Sequence, residues 1–154
     1  MEINDYANEY EASTQYFFEK YATVSPADLD THQPDGWSPR QVIHHMADAE
    51  VQSHTRVRRL LAEPEGSVIL GYDEAMWAEN PILGYTVLPI EHSIALLTAV
   101  RASSLDVLKR ITLDDLEKFG MHTERGKFSM KDWLRAYTNH PRTHADQMMA
   151  ALGR

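Results

Sequence analysis

The sequence contains no cysteine among its 154 residues. Disulfide bonds, thiolate metal ligands and a cysteine nucleophile are therefore excluded. Because thiolate donors are missing, we expect any transition metal to be bound by histidine and carboxylate side chains. A reaction that consumes a thiol would need that thiol from solution.

The sequence also lacks a long apolar run and an excess of basic residues. No stretch approaches the roughly 18 apolar residues that a membrane span requires, and the N-terminus has no basic-then-apolar signal pattern. We therefore expect a cytosolic protein that does not contact a membrane. The net charge of −8, from 23 acidic and 15 basic residues, would repel phosphate backbones and argues against a nucleic-acid partner.

Four segments of the chain show the apolar periodicity of amphipathic helices, and no strand pattern competes with it. These segments cover about residues 3–23, 38–63, 89–111 and 129 to the C-terminus. Ser38 with Gln41, and Ser129 with Asp132, match the pattern of helix-capping boxes. A chain of this length fits one domain, so the sequence predicts an all-α protein with a single four-helix bundle over residues 1–154.

A long irregular segment, residues 65–88, forms a crossover between the second and third predicted helices. Within it, residues 73–79 fit a short helix. A connection of this length in a small domain often carries function. It is also the length that a chain needs to pass from one end of a bundle to the other, so both interpretations stay open at this point.

Two histidines of the predicted fourth helix, His140 and His144, are four residues apart, the spacing at which imidazoles on one helix face can share a metal ion. Helical phase places them on the flank of that helix's apolar stripe. On the second helix the same test selects His45, at the edge of the apolar face, over His44, which points almost directly away. Such residues can also be partly buried histidines satisfied by hydrogen bonds. Three of them converging on one bundle interior favour a metal site.

Pro141 lies inside the predicted fourth helix, directly after His140. It removes one helical hydrogen bond and should kink the helix there. The kink is either tolerated without a purpose, or it aims the two imidazoles. The other four histidines are expected at the surface: His32, His54, His92 and His122.

Three segments resemble the DinB-like superfamily, and within it the YfiT-like group of metal-dependent hydrolases and bacillithiol transferases. Residues 36–48 resemble the group's Gly-Trp-Ser/Thr, Gln-Val, His-His and Ala-Asp signature, residues 137–144 resemble its second ligand helix, and residues 72–79 resemble its crossover. The resemblance implies a four-helix bundle, often homodimeric, that binds one divalent metal, zinc or nickel, through three histidines. At the matching positions these ligands are His45, His140 and His144.

The sequence departs from the group's pattern beside the ligands of the fourth helix. Asn139, Pro141 and Thr143 stand where the group commonly has Trp, Gly and a further His. These departures leave any thiol cosubstrate unassigned. Gln147 gives the His-x-x-x-His-x-x-Gln form of the broader superfamily. Gln147 and Asp48 are candidates for orienting the ligands from outside, although both could equally be ordinary polar residues of a helix surface.

Three neutral imidazoles leave a tetrahedral metal with one open coordination position. Water or a thiol bound there would ionise more readily and become a nucleophile. The sequence therefore predicts a metal-dependent hydrolase or thiol S-transferase that acts on a small electrophilic molecule. The alternative is a non-catalytic metal-binding stress-response protein. Three aromatic residues are candidates either for a substrate pocket or for packing under a loop: Trp37, Tyr72 and Trp77.

Overall fold

A computed structural model describes residues 3–154 of the protein as a bundle of helices. The helices are α1 (Ile3–Tyr21), α2 (Pro39–Ala62), α3 (Glu74–Glu79), α4 (Glu91–Leu108), α5 (Met130–Tyr137) and α6 (His140–Ala151), with short 3-10 helices at Pro26–Asp28 and Asp114–Glu117. The bundle has four helical segments: α1, α2, α4, and the consecutive pair α5 and α6, which together take the place of the fourth helix. The predicted four-helix bundle is confirmed, and its long crossover contains the expected short helix as α3.

Two of the helix starts depend on side chains that cap free backbone groups. The Ser38 hydroxyl accepts a hydrogen bond from the Gln41 N–H, and the Gln41 side chain accepts one from the Ser38 N–H at 3.0 Å. Ser129 and Asp132 repeat the arrangement at α5. Both predicted capping boxes are therefore confirmed, and they fix where α2 and α5 begin.

A small three-stranded sheet lies at one end of the bundle, where no strand was expected. Its strands are β1 (Val68–Ile69), β2 (Phe119–His122) and β3 (Gly126–Ser129). Strand β1 pairs with β2 in parallel, and β2 pairs with β3 in an antiparallel hairpin. This small sheet is an addition to the predicted helical bundle. It was not predicted because strands of two to four residues are too short to show an alternating apolar pattern.

The predicted fourth helix is broken into α5 and α6, which are separated by Thr138 and Asn139. Pro141 has no N–H to donate to the carbonyl of Tyr137, four residues earlier. That carbonyl instead accepts a 3.0 Å hydrogen bond from the guanidinium of Arg101 in α4. The expected kink is thus a complete break, and Pro141 lies in the first turn of the new helix, where proline is well tolerated.

Two clusters of buried apolar side chains form the core, one containing Trp133 and Tyr10 and the other containing Met46 and Met148. Trp133 is fully buried and donates its indole N–H to the carbonyl of Ser53 at 3.0 Å. Between residues 3 and 154, no helix combines the length and the apolar character needed to span a membrane.

Candidate metal centre

Three histidine rings meet between α2 and α6. His45 comes from the second turn of α2, while His140 is the first residue of α6 and His144 lies one turn later. One ring nitrogen of each residue lies within 4.8 Å of the others. The Nε2 atoms of His45 and His144 are 3.2 Å apart. The ring centroid of His140 is 4.5 Å from that of His144 and 5.7 Å from that of His45.

The outer nitrogens of two of these rings are held by acceptor groups. His140 Nδ1 lies 3.1 Å from Glu50 Oε1, and His144 Nδ1 lies 2.7 Å from Gln147 Oε1. A carboxylate oxygen and an amide oxygen can only accept, so each Nδ1 carries the proton and donates it. The Nε2 atom of each ring is therefore left with a free lone pair, which is the form that binds a metal.

Glu50 is fixed in turn by a buried arginine. The Glu50 carboxylate is completely buried, and Arg101 Nη1, itself in a side chain only 1% exposed, lies 3.3 Å from it. Although burial alone would raise the pKa of Glu50, the charge of Arg101 and the hydrogen bond from His140 hold that pKa below its usual range. The carboxylate is thus ionised and can accept from His140 throughout the neutral pH range.

Arg101 is held by three further acceptors from other helices. Its guanidinium donates to the carbonyl oxygens of Tyr10 and Tyr137 at 2.9 and 3.0 Å and to the Thr14 hydroxyl at 2.8 Å. It also lies over the Tyr10 ring, 3.3 Å from the ring centroid. A chain of contacts therefore connects α1 and α4 through Glu50 to the imidazole of His140.

Burial and neighbouring rings keep two histidines of the centre, His45 and His144, neutral. Desolvation, followed by the proximity of His144 and His140, lowers the pKa of His45 to about 3. Desolvation and His140 lower the pKa of His144 to about 4. Both rings are neutral at pH 7, so each has one unprotonated ring nitrogen that can bind a metal.

The donor set suits a divalent ion of intermediate softness. His45 Nδ1 is buried without a hydrogen-bond partner among the described residues. The polar contact of the His45 ring is therefore the one between its Nε2 and His144 Nε2. Lone pairs that face one another at 3.2 Å repel unless a proton or a cation lies between them. A divalent metal ion with three imidazole ligands fits this arrangement.

The expected pocket aromatics take up different positions around the centre. Trp37 packs on the His45 ring with 5.1 Å between the centroids. Tyr72 lies on a cavity of about 130 Å³ beside His140, and the Trp77 ring packs against Tyr72 in a tilted arrangement, with 4.8 Å between the centroids. The polar and charged residues that line this cavity are Arg56, Tyr72, Glu74, Arg125, Tyr137 and His140.

Of the two outer residues expected to orient ligands, only Gln147 contacts a ligand ring. Asp48 accepts a 2.5 Å hydrogen bond from the Tyr85 hydroxyl instead. The ligand ring of His140 is contacted by Glu50, a residue that the sequence analysis did not predict for this role. Two features of the sequence could have indicated this role. Glu50 lies four residues after Met46 within the apolar face of α2, and Arg101 interrupts the apolar stripe of α4. Opposite charges within two apolar stripes indicate a buried ion pair.

Two other histidines differ from expectation. His44 is buried, not turned outward, with Nδ1 2.7 Å from the Ser93 hydroxyl and Nε2 3.1 Å from the carbonyl of Leu88. The reason is that α2 packs against α4 as well as α6, so a second of its faces is covered. His122 is 5% exposed because it belongs to β2, packed near Phe128. Of the remaining histidines, two are exposed and one is half-buried: His32, His92 and His54.

The chain is similar in sequence to known proteins. The profile of the DinB superfamily matches residues 9–148. The chain belongs to the DinB superfamily. A protein of Oceanobacillus iheyensis named "Putative metal-dependent hydrolase" is 33% identical over 143 residues, which cover 92% of this chain and 81% of that protein. A Bacillus cereus protein of the same name is 33% identical over 128 residues, covering 79% of this chain and 72% of its own.

Two solved structures share the fold of this DinB superfamily member. YfiT from Bacillus subtilis, described as a probable metal-dependent hydrolase with an unusual four-helix bundle topology, superposes with a TM-score of 0.86. It is 23% identical in sequence, and the match covers 99% of this chain and 86% of YfiT. The four-helix bundle protein TT2238 superposes with a TM-score of 0.65 at 21% identity, over 96% of this chain and 98% of TT2238.

Proposed function

We propose that His45, His140 and His144 bind one divalent ion, zinc or nickel, and that the protein uses it to activate a nucleophile against a small electrophilic molecule. The observation that carries the proposal is the convergence of three ligand nitrogens within 4.8 Å, two of them on rings whose outer nitrogens are held. A bound divalent ion would act as a Lewis acid that lowers the pKa of water or of a thiol at its open position.

The protein's own residues would orient the ligands and keep the site dry. Glu50 and Gln147 fix the tautomers of His140 and His144. Trp37 covers one side of His45. The cavity beside His140 gives a small molecule a place next to that ligand ring. A substrate bound there would be held close to the candidate metal site.

Water and a low-molecular-weight thiol are both candidates for the nucleophile. The names of the relatives support hydrolysis. The absence of cysteine from the chain means that a thiol, if one is used, comes from solution as a cosubstrate. The non-catalytic alternative, a metal-binding stress-response protein, would share the same ligands and lack both activities.

The metal content of the purified protein tests the ligand assignment. We expect close to one divalent ion per chain, measured by elemental analysis together with protein concentration. His140→Ala and His144→Ala should each lose tight binding, because two imidazoles bind a transition metal much more weakly than three. His92→Ala, at an exposed position, is the matched control and should keep full occupancy. Full occupancy in His140→Ala would overturn the assignment.

Activity is tested separately with an activated ester for hydrolysis and with monobromobimane plus several small thiols for transfer. Wild type and His45→Ala are compared, each with and without added metal. We expect a rate increase only in wild type with metal. Equal rates in all four samples, for every nucleophile, would favour the non-catalytic alternative.

A further inference from the structure

Arg56, in α2, is a buried cation without a buried anion. Its side chain is only 9% exposed, and it lines the cavity beside His140. Its two terminal nitrogens donate to neutral groups, the Tyr137 hydroxyl at 2.5 Å and the carbonyl of Leu70 at 2.6 Å. Its Nε has no hydrogen-bond partner, and Arg56 forms no ion pair within the described part of the chain. A charge buried in this way is costly unless an anion approaches it.

Two more donors of the same cavity lack partners. Arg125 is exposed and forms no hydrogen bond or ion pair with any residue from 3 to 154. The Tyr72 hydroxyl is buried without a hydrogen-bond partner among residues 3–154. Burial raises the pKa of Tyr72, so its hydroxyl keeps its proton and can donate.

Glu74 is the one carboxylate on the lining of the cavity, and it does not neutralise the two arginines. It is exposed and forms no ion pair with either of them. The lining therefore carries two guanidinium groups and one carboxylate that is not paired with either of them. A small, mainly cationic cavity with free donors suits a compact anion, because a planar guanidinium donates two parallel hydrogen bonds to a carboxylate.

We infer that this cavity binds an anionic group of the substrate, a carboxylate in the first instance, and places the rest of that molecule beside His140. The inference rests on the proposed function for the reaction itself, but anion binding by Arg56, Arg125 and Tyr72 does not require a metal. The volume of about 130 Å³ holds only the anionic end of a small molecule. The substrate class is thus a small electrophile that bears a carboxylate.

Nuclear magnetic resonance of the arginine Nε–H groups tests the inference directly. The Arg56 signal is identified by its loss in Arg56→Lys. Propionate, its neutral analogue propionamide, and ethanesulfonate are titrated into metal-loaded and metal-free wild type. Propionate should shift the Arg56 signal with an affinity at least about tenfold higher than that of propionamide. The titration with ethanesulfonate shows whether the cavity selects a planar carboxylate or binds any compact anion.

Arg125→Gln is the decisive variant, because an exposed side chain without hydrogen bonds can be replaced with little effect on folding. It should weaken propionate binding several-fold, whereas the exposed control Arg110→Gln should leave it unchanged. Equal affinities for propionate and propionamide, no effect of Arg125→Gln, or a response only in the metal-loaded protein would each overturn the inference. Selective binding in a protein that fails the metal-content test would support the anion site while removing the proposed function.

Discussion

At the scale of single residues, the position of the candidate centre depends on a buried carboxylate outside the ligand set. Glu50 receives one hydrogen bond from His140 and one ion pair from Arg101, and all three groups are at least partly buried. A buried ion pair adds little net stability compared with apolar residues. The ion pair does fix geometry, because either charge would be left buried without an opposite charge if it moved away from its partner. We interpret this pair as a device that holds His140 in one tautomer and one orientation.

Replacing Glu50 with glutamine tests that interpretation. Glu50→Gln keeps the shape but leaves the Arg101 charge buried without an anion, which should cost about 3–5 kcal/mol of unfolding free energy. The His140 ring also loses its charged acceptor, so metal affinity should fall roughly 10–100-fold. Denaturant unfolding and competition with a chelator measure the two effects.

Gln147→Ala separates orientation of a ligand from stability. It removes the hydrogen bond to His144 without stranding a charge, so we expect a loss of about 1 kcal/mol with a drop in metal affinity of roughly tenfold or more. Unchanged metal affinity in both Gln147→Ala and Glu50→Gln would show that these contacts do not orient the ligands.

The lowered pKa values of His45 and His144 predict how the metal-free protein responds to acid. In the unfolded chain both rings take up protons near pH 6.5, whereas in the folded protein burial delays uptake to about 3 for His45 and about 4 for His144. The unfolded state therefore binds more protons in between, and stability falls as the pH drops from about 6.5 towards 4.

The steepness of that fall can be assigned to one ring by substitution. Each histidine contributes at most about 1.4 kcal/mol per pH unit, so His45→Leu should reduce the slope of unfolding free energy against pH by up to that amount. The exposed His92→Ala should not change it. A slope in His45→Leu equal to that of wild type would contradict the lowered pKa of His45. Urea unfolding at several pH values, in the presence of a chelator, provides the measurement.

At the scale of elements, the sequence predicted the helices, whose apolar patterns repeat over several turns. It did not predict the features that depend on contacts between distant segments. The caps at Ser38 and Ser129 and the apolar stripes are local patterns, so α2 and α5 began where predicted. Helical phase on α2 and α6 also selected the three histidines that meet in the structure. The hairpin containing His122 is short and lacks a local pattern, and it was not foreseen.

The burial of His44 and the role of Glu50 could not be predicted from one helix alone. Each depends on a second helix, α4, which brings Ser93 to His44 and Arg101 to Glu50. Phase calculated for α2 by itself treats one face as inner and the opposite face as outer. A helix covered on several sides violates that assumption.

The break between α5 and α6 leads to a prediction for Pro141. In Pro141→Ala a new backbone N–H becomes available to the Tyr137 carbonyl. In the wild-type structure that carbonyl accepts a hydrogen bond from Arg101. A continuous helix would then compete with the Arg101 contact and reorient His140 and His144 relative to His45. We expect metal affinity to fall about tenfold, while helix content by circular dichroism stays equal or rises.

Pro81→Ala, in the exposed crossover, is the matched control for that experiment. It changes a proline to alanine without touching a bundle helix, so its metal affinity should equal that of wild type. If Pro141→Ala also binds metal as tightly as wild type, the break does not aim the ligands, and Pro141 is a tolerated interruption of the helix.

At the scale of the whole molecule, the crossover exposes an apolar surface that a monomer would leave in contact with water. Ile82 is 88% exposed and Val87 is 72% exposed, and two further apolar residues of the crossover, Leu83 and Leu88, are at least 40% exposed. Apolar side chains concentrated in one exposed segment are typical of a surface that binds another protein. The family resemblance predicted a homodimer, and we propose that this segment lies at its interface.

Light scattering at micromolar concentration tests the homodimer, with an expected mass of about twice 17.6 kDa. The double variant Ile82→Asp with Val87→Asp should shift the mass to that of one chain, because carboxylates cannot be buried at an apolar interface without a partner. Leu113→Asp, at a residue 65% exposed at the start of the second 3-10 helix, is the control and should stay dimeric. The three histidines lie on α2 and α6, outside the crossover, so the monomeric variant should still bind one metal ion per chain. A wild-type mass near that of a single chain would remove the dimer. A dimer unaffected by the double variant would place the interface elsewhere on the bundle.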